Sequence, residues 1–355
     1  MRDIRKSISR RRFVGEIAAG AGVTALLPLL ATHGSYAATS GKTTLTICSY
    51  GGIYQESQDK AYFTPYQKAH PNIAIIQDSP ESDAKLKVMV ESHNVTWDIA
   101  VTSDSFGLDA DAKWLEPIDY SIIDRSQFGD GYAGNYRICA DVESTLMAYR
   151  TDKFKTTPKG FADFFDTATF PGKRTAWKYA SGGIFEIALI ADGVDPKQLY
   201  PIDVNRALKK LGTIKDKLIW WDTGAQSVQY LTSGEATLGI LWNGRAVSAG
   251  ESAPVSLAWE QWLYNQAWWV VPKGTPHKAA VMEALKYFTS AAAQAEYTKY
   301  LPYGPSNKLA FDKVSPKYQK DLPTSHMTTG IPVNYVWWNE NLAKVDPVFQ
   351  EWLLK

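Results

Sequence analysis

The 355-residue chain is poor in the residues that carry covalent and metal chemistry. Cysteine occurs only at 48 and 139, too few for a disulfide scaffold or a four-thiolate zinc site. Beyond residue 37 four histidines remain, His70, His93, His277 and His326. None is spaced as metal ligands are, and His70 and His277 each adjoin a proline, which puts them in loops. There is no Walker loop, GxGxxG, GxSxG, HExxH or CxxC, so the common nucleotide-, dinucleotide-, hydrolase- and zinc-site signatures are missing. An enzyme built on scattered carboxylates stays open, because sequence does not show which carboxylates meet in space. Excess charge is missing too. The net charge is +1, no basic patch dominates, and nucleic acid is not an expected partner. No apolar run after residue 37 is long enough to cross a membrane.

The first forty residues read as an address. Arg10-Arg11-Arg12-Phe13-Val14 follows Ser9, an Ala/Gly-rich apolar run extends from about Ile17 to Ala31, and Ser35-Tyr36-Ala37 supplies small residues before Ala38. A basic start, a short apolar middle and a small-residue end predict an export signal over 1–37, cleaved near Ala37. The paired arginines before a bulky apolar residue resemble a twin-arginine signal. The other reading is a membrane anchor, but the run falls short of the ~20 residues a spanning helix needs. Residues 1–37 hold six basic and two acidic groups, which leaves 32 basic against 35 acidic in the remainder, a net charge of −3. The expected product is a soluble, periplasmic protein. In that compartment Cys48 and Cys139 either form one disulfide or remain as two buried thiols.

The rest of the chain alternates strands and helices. Strands are predicted at Thr43–Cys48, 72–76, 98–101, 173–177, Leu218–Trp221, 236–242 and 267–271, and helices at 53–69, 82–91, 184–191, 203–214, 225–233 and 278–290. Such alternation implies parallel sheets with helices on both faces. No repeat, low-complexity stretch or long linker interrupts it. Two α/β lobes without a tether imply a cleft between them, with ligands gathering beyond the carboxyl ends of the strands.

Aromatic residues are abundant. There are 13 tryptophans, and seven (Trp220, Trp221, Trp242, Trp259, Trp262, Trp268, Trp269) fall between 220 and 269. Core packing accounts for about half of them, including one of each adjacent pair, since neighbours in a strand face opposite sides. Trp177, Trp221 and Trp242 fall at predicted strand ends, where an aromatic face can hold an alkyl chain or a cation. Polar groups come from the same turns. Ser49-Tyr50-Gly51-Gly52 and Ser181-Gly182-Gly183 precede helices; they are either ordinary Ser-Gly turns or helix N-termini open to an anion. Asp104 either meets an ammonium group or caps a helix. Arg245 either grips a carboxylate or forms a salt bridge. Asp222 and Gln226, flanking Gly224, are weaker candidates.

Several of these segments resemble one family. They are Leu45-Thr46-Ile47-Cys48-Ser49-Tyr50-Gly51-Gly52-Ile53-Tyr54, Ser233-Gly234-Glu235 through Leu241-Trp242-Asn243-Gly244-Arg245, Val270-Val271-Pro272-Lys273-Gly274 and Tyr303-Gly304-Pro305-Ser306-Asn307. Together with the export signal they look like the periplasmic solute-binding proteins of ABC importers, in the spermidine/putrescine-binding branch. The resemblance implies a type II periplasmic-binding-protein fold: two discontinuous α/β lobes joined by a hinge, with the ligand cleft between them. Lobe one is expected at 42–146 plus 266–312, and lobe two at 147–265 plus 313–355. It also implies a membrane permease as partner; no cofactor is expected, because cofactor motifs are missing from the sequence. By position Tyr50, Ser103, Trp242 and Tyr335 match cleft residues of the family. The family's paired acids, however, would fall near Ala180 and Gly183, and a further acid near Ala267. A buried dication without carboxylates is heavily penalised.

The expected function is therefore capture of a small amine or amino-acid-like solute of the ω-amino acid type, by a monomer that performs no reaction. Asp104 would take the amine, and Arg245 or a helix N-terminus the carboxylate. The expected ligand-binding set is Tyr50, Ser103, Asp104, Trp177, Ser181, Trp221, Trp242, Arg245 and Tyr335. The alternatives are a polyamine binder whose acids come from Asp104, Asp222 and Glu186, a ferric-iron binder on the same fold, and an exported enzyme.

Overall fold

The computed structural model describes residues 41–355, and the expected export signal over 1–37 lies outside them. The described chain opens with β1 (Thr43–Cys48), α1 (Gly52–Gln58), a π-helical turn (Asp59–Phe63), α2 (Thr64–Ala69), β2 (Ile73–Asp78), α3 (Asp83–Glu91) and β3 (Ile99–Thr102). Then come β4 (Arg137–Arg150), α4 (Phe161–Phe165), β5 (Arg174–Trp177), α5 (Ile184–Ala191), α6 (Val204–Gly212), β6 (Leu218–Trp221), α7 (Gly224–Thr232) and β7 (Leu238–Trp242). The last part holds α8 (Asn243–Ser252), β8 (Val255–Val270), α9 (Lys278–Phe288), α10 (Ala291–Tyr297), α11 (Pro316–Gln319), β9 (Gly330–Pro332) and α12 (Tyr335–Leu354).

Local chemistry sets many of these boundaries. The Ser82 hydroxyl accepts from Lys85 N at 3.2 Å and starts α3, Asp203 accepts from Arg206 N and starts α6, and Thr223 with Gln226 forms a capping box on α7. Along α6 the buried residues Ala207, Leu208 and Leu211 recur at helical spacing, and Lys209 and Lys210 fall in the last turn, where cations suit the carbonyl end.

The strands join in the order β2-β1-β3-β8-β4-β7-β5-β6, with β9 added to β8. At one end β1, β2 and β3 pair in parallel, and at the other β5 pairs in parallel with β6 and β7. The middle departs from the all-parallel expectation. There β3–β8, β8–β4 and β4–β7 are antiparallel, because β4 and β8 are long strands running in opposite directions. They stay paired from Arg137↔Val270 to Arg150↔Val255, through irregularities at Cys139/Asp141 and Leu146/Met147.

Two cores lie on either side of this ribbon. One draws on residues from Leu45 to Ala140 and from Ala267 to Tyr303, the other on residues from Met147 to Leu263 and from Ile331 to Phe349. Each core is discontinuous in sequence, and β4 and β8 lead from one to the other. Cys48 and Cys139 are buried free thiols in separate apolar clusters. Burial pushes the Cys48 thiol up to about 12 and holds Cys139 well above the ordinary range.

Candidate ligand-binding cavity

A cavity of about 560 Å³ opens where the two cores face each other across the ribbon. Its floor is the middle of β4 and β8. Glu143 pairs with Asn265 and Thr145 with Leu263; directly paired residues two apart share one face, and all four line the cavity. On the first side stand the turns after β1 and β3, carrying Tyr50, Ser103 and Asp104. On the second stand Trp177, the Ser181–Gly183 turn, Trp242 and Arg245. The start of α12 adds Tyr335 and Trp338.

Glycine brings the second wall together. A Cβ on Gly182 would lie 2.6 Å from the Trp177 ring, and one on Gly183, whose φ is +90°, would lie 2.6 Å from Leu263. The two glycines therefore let the N-terminus of α5 reach the cavity edge, with Ser181 beside it. Trp177 stacks on Trp221 (5.6 Å between centroids, 13° between planes), and both meet Trp242 edge-on at 5.2 and 5.1 Å. Trp221 donates to Ile240 O, whereas the Trp177 indole N–H is buried with no partner.

The Asn243-Gly244-Arg245 run does three jobs. Asn243 accepts from Ser144 N and donates to Pro302 O and Asp321 O, tying α8 to β4 and to the C-terminal segments. Gly244 lets Leu301 and Tyr303 approach, since a Cβ there would lie 2.8 Å from Leu301. Arg245 then crosses Gly224, whose added Cβ would meet its Nε at 2.5 Å, and borders the cavity.

Glu143, one of two carboxylates in this lining with Asp104, stands on the cavity floor. No hydrogen bond stabilises its charged form. Burial, then Asp141 and Asp104, push its pKa well above the usual carboxylate range, and Arg245 opposes them. Nearby, Asn265 Oδ1 is buried without a partner. Behind the tyrosines, fully buried Asp141 accepts from Tyr54 OH at 2.7 Å, and its second oxygen has no partner. Burial raises the Asp141 carboxyl to about 7. Tyr50 and Tyr54 lie 5.0 Å apart and, with Tyr303, form an aromatic side.

The structure brings Tyr50, Ser103, Asp104, Trp177, Ser181, Trp242, Arg245 and Tyr335 to one cavity. Trp221 is the exception. It is 1% exposed and packs behind Trp177, because Trp177 and Trp221 are paired neighbours on parallel strands and only one ring reaches the front. Asp104 needs a correction of role. Its carboxylate accepts from Gln266 N and Trp268 Nε1, both at 2.7 Å, so protein donors already hold it. The other acids suggested for a polyamine are elsewhere. Asp222 pairs with Lys178 on the surface. Glu186 is fully buried and accepts from Tyr200 OH and Trp338 Nε1, both at 2.6 Å. Gln226 caps its own helix, accepting from Asp222 N and Thr223 N.

Sequence reasoning missed Glu143, Asn265, Gln266 and Trp338. The signal for the first was an alternation, Asp141-Val142-Glu143-Ser144-Thr145, visible as a cavity face only once β4 is recognised as a strand. Among the described residues no group of three or more His, Cys, Asp or Glu gathers as metal ligands do, and no helix is long and apolar enough to cross a membrane.

Residues 61–324 match the family described as bacterial extracellular solute-binding protein. A γ-aminobutyric acid-binding protein of Pseudomonas aeruginosa is 31% identical over 326 residues, covering 89% of this chain and 92% of that protein. Among solved structures, a GABA receptor superposes with a TM-score of 0.81 at 36% identity, covering 88% of this chain and 98% of its own. An ABC transporter substrate-binding protein from Bradyrhizobium japonicum USDA 110 superposes with a TM-score of 0.80 at 30% identity, over 88% of this chain and 100% of that one.

Proposed function

This chain belongs to the bacterial extracellular solute-binding protein family and has its two-lobed α/β fold, and from that premise we propose that it captures a small zwitterionic amino acid of the 4-aminobutyrate type and delivers it to an ABC importer. The observation that carries the reading is one cavity bordered by a carboxylate without protein hydrogen bonds, Glu143, and by a guanidinium, Arg245. Glu143 and Asn265 Oδ1 accept from the ammonium group. Arg245, the free indole N–H of Trp177 and the N-terminus of α5 receive the carboxylate. Tyr50, Trp242 and Tyr335 cover the methylene chain.

The ligand leaves unchanged. Lobe one, 42–146 plus 266–312, and lobe two, 147–265 plus 313–355, close on it by bending at β4 and β8. Contacts to both lobes are what favour the closed state, since a ligand held by one lobe alone shifts nothing. The monomer works in the periplasm after removal of 1–37, and its partner is the membrane permease.

A spermidine or putrescine ligand is the second reading, and Glu143 is the observation that favours it. One free carboxylate facing a guanidinium suits a zwitterion better than a dication, whose second amine would meet Arg245. Isothermal titration of the processed protein with 4-aminobutyrate, putrescine and butyrate separates the two. Stoichiometric binding of 4-aminobutyrate, with putrescine and butyrate much weaker, is expected. Tight putrescine binding with no response to the amino acid overturns the proposal.

A further inference from the structure

Asp104 borders the cavity, yet its carboxylate is engaged by the protein. Besides Gln266 N and Trp268 Nε1, it accepts from the Gln266 side chain, which in the orientation its surroundings require places its amide nitrogen 2.6 Å from Oδ1 and 3.2 Å from Oδ2. Asp104 is itself held. Its main-chain carbonyl accepts from Arg137 at 2.8 Å, and that guanidinium lies 3.8 Å over the Trp268 ring. Asp104 is 8% exposed and Gln266 is a half-buried lining residue. An amide whose nitrogen is held by a carboxylate has one of its two N–H groups committed and its orientation fixed, so the position of its oxygen, its one acceptor, is fixed as well.

We propose that Asp104 is a positioning residue that locks the Gln266 amide so that its oxygen, an acceptor, is what the cavity reads, which selects a ligand N–H at this end and rejects a carboxylate there. The inference rests on the amino acid reading above and deepens it. A mobile glutamine can turn either end of its amide toward a ligand and so discriminates poorly between donor and acceptor. One pinned by a buried carboxylate cannot turn without breaking a charge-assisted hydrogen bond. Ammonium recognition is thereby shared between Glu143, which supplies charge, and Gln266, which supplies polarity of one sense. The charged or titratable groups facing Asp104 are Arg137, Cys139, Glu143, Tyr132, Tyr264 and Tyr335. Burial lifts its carboxyl to about 6, against the pull of its hydrogen bonds and of Arg137, so the lock weakens as pH falls below that value.

The test uses Asp104→Asn, Gln266→Ala, the double variant, and Trp268→Phe, which removes one Asp104 hydrogen bond and leaves Gln266 bound. Side-chain amide NMR of nitrogen-15-labelled glutamine reports the lock without any ligand. The Gln266 NH2 signals should shift with a midpoint near pH 6 in the wild type and lose that shift in Asp104→Asn. Titration with 4-aminobutyrate and glutarate reports its consequence. Asp104→Asn and Gln266→Ala should each weaken 4-aminobutyrate by about three- to ten-fold. The double variant should be no worse than either single one, and the preference over glutarate should narrow in all three but not in Trp268→Phe. Unchanged Gln266 signals in Asp104→Asn, additive losses, or an unaltered preference in Gln266→Ala overturn the proposal. If Asp104→Asn does not fold, Gln266→Ala and the wild-type amide titration still decide it. A wild type that ignores 4-aminobutyrate defeats the functional reading, while the amide signals still judge the lock.

Discussion

Replacing Glu143 with glutamine keeps the shape of the cavity floor and removes its charge, so it isolates what the carboxylate does. In the free protein Glu143 is half-buried and takes no hydrogen bond from the protein, and burial with Asp141 and Asp104 raises its pKa well above the usual range. An ammonium group arriving there stabilises the ionised form and lowers that pKa again. The liganded protein thus holds fewer protons than the free one, so binding releases protons and affinity rises with pH until the free-state pKa is passed. A hydrogen bond to a charged partner is worth roughly 1.5–3 kcal/mol, and each 1.36 kcal/mol is a factor of ten. Glu143→Gln should therefore weaken 4-aminobutyrate by about 10- to 150-fold at the alkaline end, where the wild-type group is ionised, and by much less in acid, where it is not. Isothermal titration in two buffers of different protonation enthalpy should give different wild-type heats and identical heats for the variant. Wild-type heats that do not depend on buffer, or a variant within about threefold of wild type across the pH range, refute the reasoning.

Asp141 gives a stability prediction of opposite sense. Its folded-state carboxyl titrates near 7 against about 3.9 when unfolded, so between these values the folded chain holds the extra proton and stability falls with rising pH by up to about 1.4 kcal/mol per unit. Asp141→Asn, compared with wild type by urea unfolding at pH 5 and pH 8, should flatten that decline; equal slopes count against it. Trp177→Phe deletes an indole N–H that has no protein partner, so carboxylate ligands should weaken by about tenfold, as for a hydrogen bond to a charged group, with little change in melting temperature; a large stability loss with unchanged affinity would make Trp177 a packing residue only. Gly183→Ala forces a side chain into φ +90° and against Leu263 and should cost about 1–3 kcal/mol by urea unfolding; an unchanged midpoint removes the case for glycine there. Both thiols are buried and should resist a thiol reagent in the folded protein and react fully after unfolding.

What could be read from the sequence follows the range of the interactions involved. Strand β1, the Ser-Gly turns and helix α5 are specified by neighbours in sequence, and their placement needs no knowledge of the rest. The cavity corners Tyr50, Trp177 and Trp242 were legible for the same reason, since each sits at the end of a short apolar strand. Strand β4 was not, because its interior carries Asp141, Glu143, Ser144 and Thr145, and such a stretch looks like a strand only when β8 is beside it. Trp221 and Trp177 have the same local signature, and which ring faces the front is decided by packing. Asp104 shows the limit most clearly. Its carboxylate answers to Gln266 and Trp268, 162 and 164 residues away, and no local pattern marks that engagement.

The discontinuity of the two cores bears on how the chain is made. The first core needs Leu45 and Ile47 as well as Trp269, Val281, Phe288 and Tyr303, so it cannot finish assembling until the ribosome has passed residue 303. The second core is interleaved with it and waits for Ile331, Trp338 and Phe349. Most of the sequence must therefore exist before either half can close, and such distant pairings fold slowly. A nascent or truncated chain ending near Val255 would expose the apolar faces of both halves at once, which makes chaperone capture during synthesis an expected part of this protein's biogenesis.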